Sequence, residues 1–438
     1  MKRIILLLVL ATTYSVAQDS KTLTLEDAIR IGKEGSKTLK AASMKVEAAS
    51  AKANEVNTNL LPSLKFEAGY KRLSDVDPFA VSLPFLPSPV VLSPIVLNNY
   101  NLKVSLQQPL FTGFKLRSNA RAAELTATAA EFELRSDEAD LVLNIKNAYW
   151  MLYQTREVKK FVDENMERLD AHVVDTKNLM KAGLATRNDL LKIEVQGSNA
   201  KLTQIDAVND VQVALMNLNN LLGLPLDTDL QLSSVPEETP SGGSTGLLAQ
   251  NLVMQAFTAR PDLQSMHFRV QASEASVTAA RGNWWPQIFL AGSYVYNRPN
   301  ARYLPTRDEF KGTWEVGVQL QFDLWNWGAT GYQTEQAKAQ HQQAEYLYDQ
   351  MKDNVSLEVT RNQLLVERGR QKIGVARQAI GQAEENYRST NDKYRNGLAT
   401  ASDLLDADVA LLQAKTNLTG ALVEDEVAQA RLARSIGE

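Results

Sequence analysis

The sequence predicts a mainly α-helical protein with a β-barrel portion, built from an internal two-fold repeat. Three observations predict this fold class: a nine-residue pattern that occurs twice, four strand-length stretches of alternating polarity, and two very long helical stretches. The pattern Gly-Leu-Ala-Thr-x-x-Asp-Leu-Leu begins at Gly183 and again at Gly397, 214 positions later. We therefore expect two structural repeats, residues 18–223 and 247–438, joined by a linker or equatorial segment over residues 224–246.

The composition excludes several functional classes. The 438 residues include 47 basic and 51 acidic side chains and no cysteine. Nearly balanced charge without a basic stripe argues against nucleic acid as a partner, and the lack of cysteine excludes disulfides, thiolate metal ligands and thiol nucleophiles. The sequence has no nucleophile elbow, phosphate loop or His-Glu-x-x-His motif, and His172, His267 and His341 lack metal-ligand spacing. We expect no enzyme, no catalytic residues, no metal and no cofactor.

Residues 1–17 have the pattern of a secretory signal peptide. Two basic residues, Lys2 and Arg3, precede a short apolar run over residues 4–10, and residues 15–17 supply a small-residue cleavage site. The apolar run is far shorter than the roughly 20 residues that a membrane-spanning helix needs. The sequence therefore predicts export to the periplasm, the exterior or the outer membrane.

Each repeat begins with a predicted helix. The first covers residues 25–57, where Thr24 and Asp27 form an N-terminal capping signal. Its counterpart covers residues 247–282, and Pro261 is expected to break or kink it because proline removes a helical hydrogen bond.

Alternating apolar and polar residues predict four β-strands, at about residues 62–72, 99–109, 286–298 and 312–324. About 9–11 tilted residues span a bilayer, and this alternation is typical of a transmembrane β-barrel. Aromatic residues near the strand ends resemble an interfacial belt: Tyr70, Tyr100, Trp284, Trp285, Trp314, Trp325 and Trp327. The alternative is two amphipathic hairpins packed on a soluble core, but four matched strands in an exported chain favour the barrel.

Four strands cannot close a barrel, and lipid does not tolerate open sheet edges. Three chains would supply twelve strands, an even number within the range of known barrels. We therefore expect a homotrimer surrounded by outer-membrane lipid. Residues 73–98 contain five prolines, which exclude a buried helix, and we interpret this apolar stretch as the outer loop of the first hairpin.

Four further helices follow the strands, predicted over residues 114–180, 187–222, 329–395 and 401–436. In the first, residues spaced by alternating steps of four and three form a coiled-coil seam: Leu141, Ile145, Ala148, Leu152, Thr155, Lys159, Val162, Met166, Leu169 and Val173. Helices this long with so much small apolar surface need partner helices.

The repeated pattern predicts the turn of a helical hairpin. Gly183 ends the first helix in the left-handed conformation, Thr186 caps the next helix, and Asp189 supplies the capping-box acid. The second copy repeats these roles 214 positions later. The symmetry breaks one helical turn further on, where Lys192 of the first copy is replaced by Asp406 in the second.

The duplicated plan resembles the TolC family of outer-membrane efflux channels over nearly the whole mature chain. The resemblance rests on the strand starts at Pro62 and Pro286, the sequence Gln-Pro-Leu-Phe-Thr-Gly over residues 108–113, and the two Gly-Leu-Ala-Thr tips. It implies a homotrimer in which four strands per chain form a shared twelve-stranded barrel and the helical hairpins form an α-barrel. It also implies passive conduction, coupled to a periplasmic adaptor and an inner-membrane pump.

The resemblance further implies site residues. The pore constriction falls on Asp403 and Asp406, whose three copies would ring a narrow lumen, and Tyr394 is expected to hold the closed state by bonding to Asp189. The arginine at the family prototype's tip is matched by Ala399, so that link is missing. The adaptor is expected to dock at the two tips, on Lys181, Gly183, Leu184, Thr186, Arg395, Gly397, Leu398 and Thr400.

The sequence thus predicts the outer-membrane channel of a tripartite efflux or secretion system. It would lie in the outer membrane of a Gram-negative bacterium and extend into the periplasm. The alternative is a structural coiled-coil protein of the periplasm or the cell surface without a conduit. Four amphipathic strands of membrane-spanning length favour the conduit.

Overall fold

The computed structural model describes residues 22–82, 84–85, 87–93, 95–236 and 246–438. The predicted signal peptide and much of the predicted linker lie outside the described residues. The chain divides into two compact units, and each takes segments from both halves of the sequence. Unit 1 comprises the described parts of Met1–Leu39, Glu138–Ala256 and Leu357–Glu438, and unit 2 those of Lys40–Asp137 and Phe257–Ser356.

The elements follow one another in two similar series. The first is β1 (Thr22–Leu23), α1 (Leu25–Gly35), α2 (Lys37–Thr58), β2 (Ser63–Arg72), β3 (Phe79–Val81), β4 (Val90–Ser93), β5 (Asn98–Phe111), α3 (Lys115–Lys181) and α4 (Arg187–Leu222). The second is β6 (Gln231–Leu232), α5 (Gly246–Ala259), α6 (Pro261–Arg281), β7 (Gln287–Arg298), β8 (Lys311–Gln321), α7 (Ala329–Arg395) and α8 (Ala401–Ile436). The predicted mainly helical fold is confirmed.

Two helices, α1 and α2, replace the single helix predicted over residues 25–57. The break is at Ser36, which has an extended backbone and whose Oγ accepts a hydrogen bond from the N–H of Leu39 at 3.2 Å. Gly35 lies so close to the end of α4 that an added Cβ would be 2.4 Å from the carbonyl oxygen of Leu222. A glycine that packs against a backbone, followed by a serine that can cap, ends one helix and starts the next.

The predicted break at Pro261 is confirmed, since α5 ends at Ala259 and α6 begins with the proline at its first position. The N–H of the first helical residue has no partner within the helix, so a proline at that position costs no hydrogen bond. None of the helices in the described part of the chain is long and apolar enough to cross a membrane.

Strands β2, β5, β7 and β8 form one antiparallel sheet in that order, within unit 2. The register places Phe66 opposite Val104, Val104 opposite Tyr294, and Tyr294 opposite Trp314. Because side chains alternate between faces, these residues share an apolar face. That face is exposed in the single chain; Trp314, for example, is 73% exposed.

The loop between β2 and β5 contains an element that the sequence analysis did not predict. Strands β3 and β4 pair as a short antiparallel hairpin with an irregular register next to Phe79. Phe79, Phe85 and Val91 are exposed on it.

The core of unit 1 lies where α1 and α4 pack on α3. Ile145, Tyr149 and Leu152 of α3 are fully buried together with Leu218 and Leu222 of α4. The hydroxyl of Tyr149 donates to the carbonyl of Leu23 at 2.9 Å, which anchors β1 beside its parallel partner β6. Every position of the predicted α3 seam is buried or half-buried, which confirms the heptad interpretation.

Candidate functional site

The first helical tip joins α3 to α4 through a left-handed glycine. Gly183 has φ +75°, and its N–H donates to the carbonyl of Met180 at 3.1 Å. The N–H of Leu184 reaches back to the carbonyl of Leu179 at 2.8 Å. These two bonds form a Schellman motif, which satisfies the last free carbonyls of α3.

The second tip joins α7 to α8 with the same geometry. Gly397 has φ +72° and donates to the carbonyl of Tyr394 at 3.0 Å, and Leu398 donates to that of Lys393 at 2.8 Å. The left-handed glycines predicted from the repeated pattern are therefore confirmed.

A capping box follows each turn, as predicted. The Oγ1 of Thr186 accepts from the N–H of Asp189 at 3.2 Å, and the carboxylate of Asp189 accepts from the N–H of Thr186 at 3.0 Å. Thr400 and Asp403 repeat this exchange at 3.2 and 2.9 Å. Hydrogen bonds from the threonine side chain and then its backbone hold the pKa of Asp189 and of Asp403 below the usual range.

The two tips share one apolar cluster within unit 1. Ile193 of α4 and Ala401 and Leu404 of α8 are buried there with Tyr394 of α7. Tyr394 is 4% exposed, and burial raises the pKa of its phenol. The tips are thus packed against each other while their turns remain exposed.

The expected bond between Tyr394 and Asp189 is not formed. The Tyr394 hydroxyl lies 2.6 Å from the Oγ1 of Thr176, a fully buried residue of α3. Asp189 instead uses its Oδ2 to accept from Thr186, both from the backbone and from the hydroxyl. The capping box uses Oδ2 of the Asp189 carboxylate, and the Tyr394 hydroxyl pairs with Thr176 instead.

Two polar contacts connect the tip helices at the surface. Arg395 donates to the carboxylate of Asp175 at 3.1 Å, and Lys192 donates to the hydroxyl of Ser402 at 3.0 Å. Lys192 and Asp406 line the same open groove of about 450 Å³ between α4 and α8. The two positions at which the repeats differ in charge, Lys192 and Asp406, therefore lie along one groove.

The predicted constriction and docking residues are mostly exposed. Asp403 and Asp406 both face solvent in the single chain, and no described residue donates a hydrogen bond to Asp406. Leu184 is 63% and Leu398 78% exposed although both are apolar. The other predicted docking residues are exposed as well: Lys181, Gly183, Thr186, Arg395, Gly397 and Thr400.

The sequence analysis missed a buried charged cluster behind the tips. Asp408 of α8 accepts from Arg168 at 2.8 Å and lies 2.9 Å from Nε2 of His172, both on α3. The guanidinium of Arg168 also lies 5.5 Å from the ring centre of Tyr387 on α7. No local sequence signal identifies these partners, because more than 200 positions separate them. Within the described ranges, no group of three or more His, Asp or Glu residues is placed to hold a metal ion.

Comparison with known proteins identifies a family relationship. Residues 29–224 and 252–438 match the family model described as Outer membrane efflux protein. The chain is 26% identical over 345 residues to the outer membrane efflux protein BepC of Brucella suis, an alignment that covers 74% of this chain and 73% of BepC. It is 23% identical over 338 residues to the alkaline protease secretion protein AprF of Pseudomonas aeruginosa, covering 76% of this chain and 69% of AprF.

Solved structures show the same fold. The outer membrane protein VceC from Vibrio cholerae superimposes with a TM-score of 0.79 at 19% sequence identity, and the match covers 94% of this chain and 96% of VceC.

Proposed function

Since the chain belongs to the outer membrane efflux protein family, we propose that three copies of it form one conduit through the outer membrane. The family consists of passive outer-membrane channels, and its named members include an efflux protein and a protease secretion protein. The chain accordingly serves an efflux or secretion system, in which a periplasmic adaptor and an inner-membrane pump are its partners.

The single observation that carries the trimer is the four-stranded sheet. Its order leaves β2 and β8 at the edges, and its apolar face is exposed from Leu64 and Phe66 on β2 to Val316 and Val318 on β8. An apolar face belongs in lipid, where an unpaired strand edge costs several kcal/mol for each unsatisfied group. Pairing β8 of one chain with β2 of the next removes both edges, and three chains give twelve strands.

The duplicated chain supports this assembly. Residues 18–223 and 247–438 each contribute one strand pair and one helical hairpin, so that three chains supply six equivalent pairs and six hairpins. In this proposal the hairpins surround the periplasmic part of the conduit.

The tips carry two roles in the proposal. Exposed Leu184 and Leu398 form the apolar centre of the adaptor-docking surface, and the remaining tip residues Lys181, Gly183, Thr186, Arg395, Gly397 and Thr400 surround them. Asp403 and Asp406 form the acidic constriction. Tyr394 and Asp189 support the closed state separately, through the buried bond to Thr176 and through the capping box.

Chemical cross-linking tests the trimer directly, because the chain has no native cysteine. Gly69 in β2 and Gly317 in β8 can each be changed to Cys, since an added Cβ meets no atom within 4 Å at either position. The double variant, treated in membranes with flexible bismaleimides of several lengths, should give a ladder that stops at three chains.

The single-cysteine variants are the matched controls and should give no ladder, because the proposed contact joins two different edges. A ladder that continues beyond three chains would exclude the closed trimer. A chain that stays monomeric and leaves the membrane with a salt wash would support the coiled-coil protein without a conduit.

A further inference from the structure

Lysine side chains are concentrated on one face of the four-stranded sheet. The register places Lys65 opposite Ser105, Lys103 opposite Glu67 and Lys71 opposite Asn99. Lys311 ends the row of paired residues that begins at Gly69. All four lysines lie on the face opposite Phe66 and Trp314, because side chains alternate along a strand. The polar face therefore carries four lysines.

The same face carries two glutamates, which offset only part of the lysine charge. Glu315 accepts from Ser293 at 3.0 Å and pairs with Arg302. Glu67 forms no ion pair with Lys103 in the described part of the chain, although the two residues are cross-strand neighbours. The strands alone therefore give this face a net charge of +2 per chain.

Three of the lysines have no direct charged partner. Lys65, Lys71 and Lys103 form no ion pair or hydrogen bond with any described residue, whereas Lys311 lies 3.6 Å from Glu309. The helix-side end of the same face is neutral, with Ser63, Gln107, Gln319 and Gln321. The positive charge thus begins at Lys65, two residues into β2, and continues to the loop end of the sheet.

We propose that Lys65, Lys71 and Lys103 form an anion-attracting surface inside the membrane-spanning part of the conduit and select for solutes with several negative charges. The inference rests on the proposed function, in which the polar face of the sheet lines the lumen. Three chains would place three copies of each lysine around one lumen. Rings of Lys or Arg are the arrangement that favours anions in pores, and low-dielectric walls concentrate such a field.

The surface would act on cargo that bears several phosphates or carboxylates. A solute with one negative charge interacts with one lysine at a time in water, where the attraction is weak. A solute with several charges engages several lysines at once, and the attractions add. The conduit then has two selective zones of opposite sign, one at the lysines and one at the Asp403 and Asp406 constriction.

Single-channel recording with inorganic tripolyphosphate in both chambers tests the inference. Wild-type channels at about 0.1 M salt should show reversible block by tripolyphosphate, and the block should disappear at about 1 M salt, where the screening length falls to roughly 3 Å. In the triple variant Lys65→Gln, Lys71→Gln, Lys103→Gln, the half-blocking concentration should rise about tenfold or more, the lower end of such focusing effects.

Two matched controls separate charge from side-chain identity. The triple variant with Arg at the same three positions should keep the half-blocking concentration within about twofold, because the charge is preserved. Lys311→Gln should also change it by less than about twofold, because Glu309 already offsets that charge. The single variant Lys65→Gln should give an intermediate increase, and it serves if the triple variant assembles poorly.

The outcomes distinguish this inference from the proposed function. Channels that conduct and are blocked by trivalent cations, but that tripolyphosphate does not block, would overturn the inference alone. Equal block of the wild type and the Gln variant would also overturn it. A chain that forms no conducting oligomer would overturn both proposals.

Discussion

The carboxylate of Asp408 lies 2.9 Å from Nε2 of His172, and both side chains are almost fully buried, at 2% and 3% exposure. Arg168 donates to the second oxygen of the same carboxylate at 2.8 Å. Helix α8 is thereby tied to α3 just behind the tips, where the proposal places the constriction. A buried carboxylate with two partners is costly to remove, because His172 loses its buried charged partner and Arg168 keeps only its weaker contacts with Asn165 and Tyr387.

We predict that Asp408→Ala destabilises the protein by about 3 kcal/mol, because buried His172 and half-buried Arg168 lose the carboxylate that they share. The melting temperature of the purified oligomer measures the loss. Asp170→Ala is the matched control, since Asp170 is exposed on α3 between the same two residues, and it should change stability by no more than about 0.5 kcal/mol. Equal melting temperatures of the two variants would mean that the cluster does not hold α8 to α3.

The bond between Tyr394 and Thr176 gives a second prediction. Tyr394→Phe should cost about 1–2 kcal/mol because it leaves the Thr176 hydroxyl buried without a partner. Thr176→Val should lower stability less in the Tyr394→Phe background than in the wild type, because the Thr176 hydroxyl has already lost its partner there. A double-mutant cycle on thermal stability measures the coupling, which we expect at about 1 kcal/mol. Tyr394→Phe should also raise single-channel conductance, and strictly additive stabilities would contradict the bond.

The exposed tip leucines give a third prediction. Leu398→Asp should leave the trimer assembled, because the side chain is outside the core, but should abolish export by placing a charge in an apolar docking surface. Gly183→Pro should also leave the trimer assembled and abolish export. Proline cannot adopt the left-handed φ of this turn and lacks the N–H that donates to Met180. Export assays with cross-linking of the trimer check both variants.

Leu226→Asp is the control for the docking prediction. Leu226 is also an exposed leucine of unit 1, but it lies in the turn after α4 and outside the two tips. The Leu226→Asp variant should export normally. Normal export by Leu398→Asp as well would exclude the tips as the docking surface.

The acidic constriction gives a fourth prediction. Asp403→Ala combined with Asp406→Ala should remove block by trivalent cations and weaken cation selectivity, because carboxylate rings attract polyvalent cations. When the acidic residues are removed, the lysines of the sheet should shift the reversal potential towards the value of an anion-selective channel. Planar-bilayer recordings measure both effects. Unchanged cation block would place the two aspartates outside the pore and leave Asp403 with its capping role only.

The lowered pKa of Asp189 gives a fifth prediction, on pH. A carboxyl group with a depressed pKa in the folded state stabilises that state above its unfolded pKa of about 4, and the contribution is lost as pH falls through the lowered value. Tip amides of the wild type should therefore exchange more slowly than those of Asp189→Ala at pH 7. The difference should vanish at strongly acidic pH. Hydrogen exchange of the wild type and the variant at the same pH measures the difference. A difference that persists in acid would mean that a group other than the Asp189 carboxylate protects the tip amides.

The sequence by itself determined the features that depend on neighbours a few residues apart. The capping boxes of Thr186 and Thr400 form because each threonine meets an acid three residues on, and the left-handed turns form because glycine lacks a Cβ. The strands and the α3 seam follow from periods of two and of three and a half residues. Such signals survive in any surroundings that keep one face apolar.

The tertiary structure decided the features that depend on distant partners. The helix break at Ser36 needs Gly35 against the carbonyl of Leu222, the Tyr394 phenol chooses Thr176 over Asp189, and Asp408 meets Arg168 and His172 from 240 and 236 positions away. Each is settled by which backbones and buried groups approach one another in space. A sequence pattern records the period of a helix or a strand, and it does not record which helix will lie across from it.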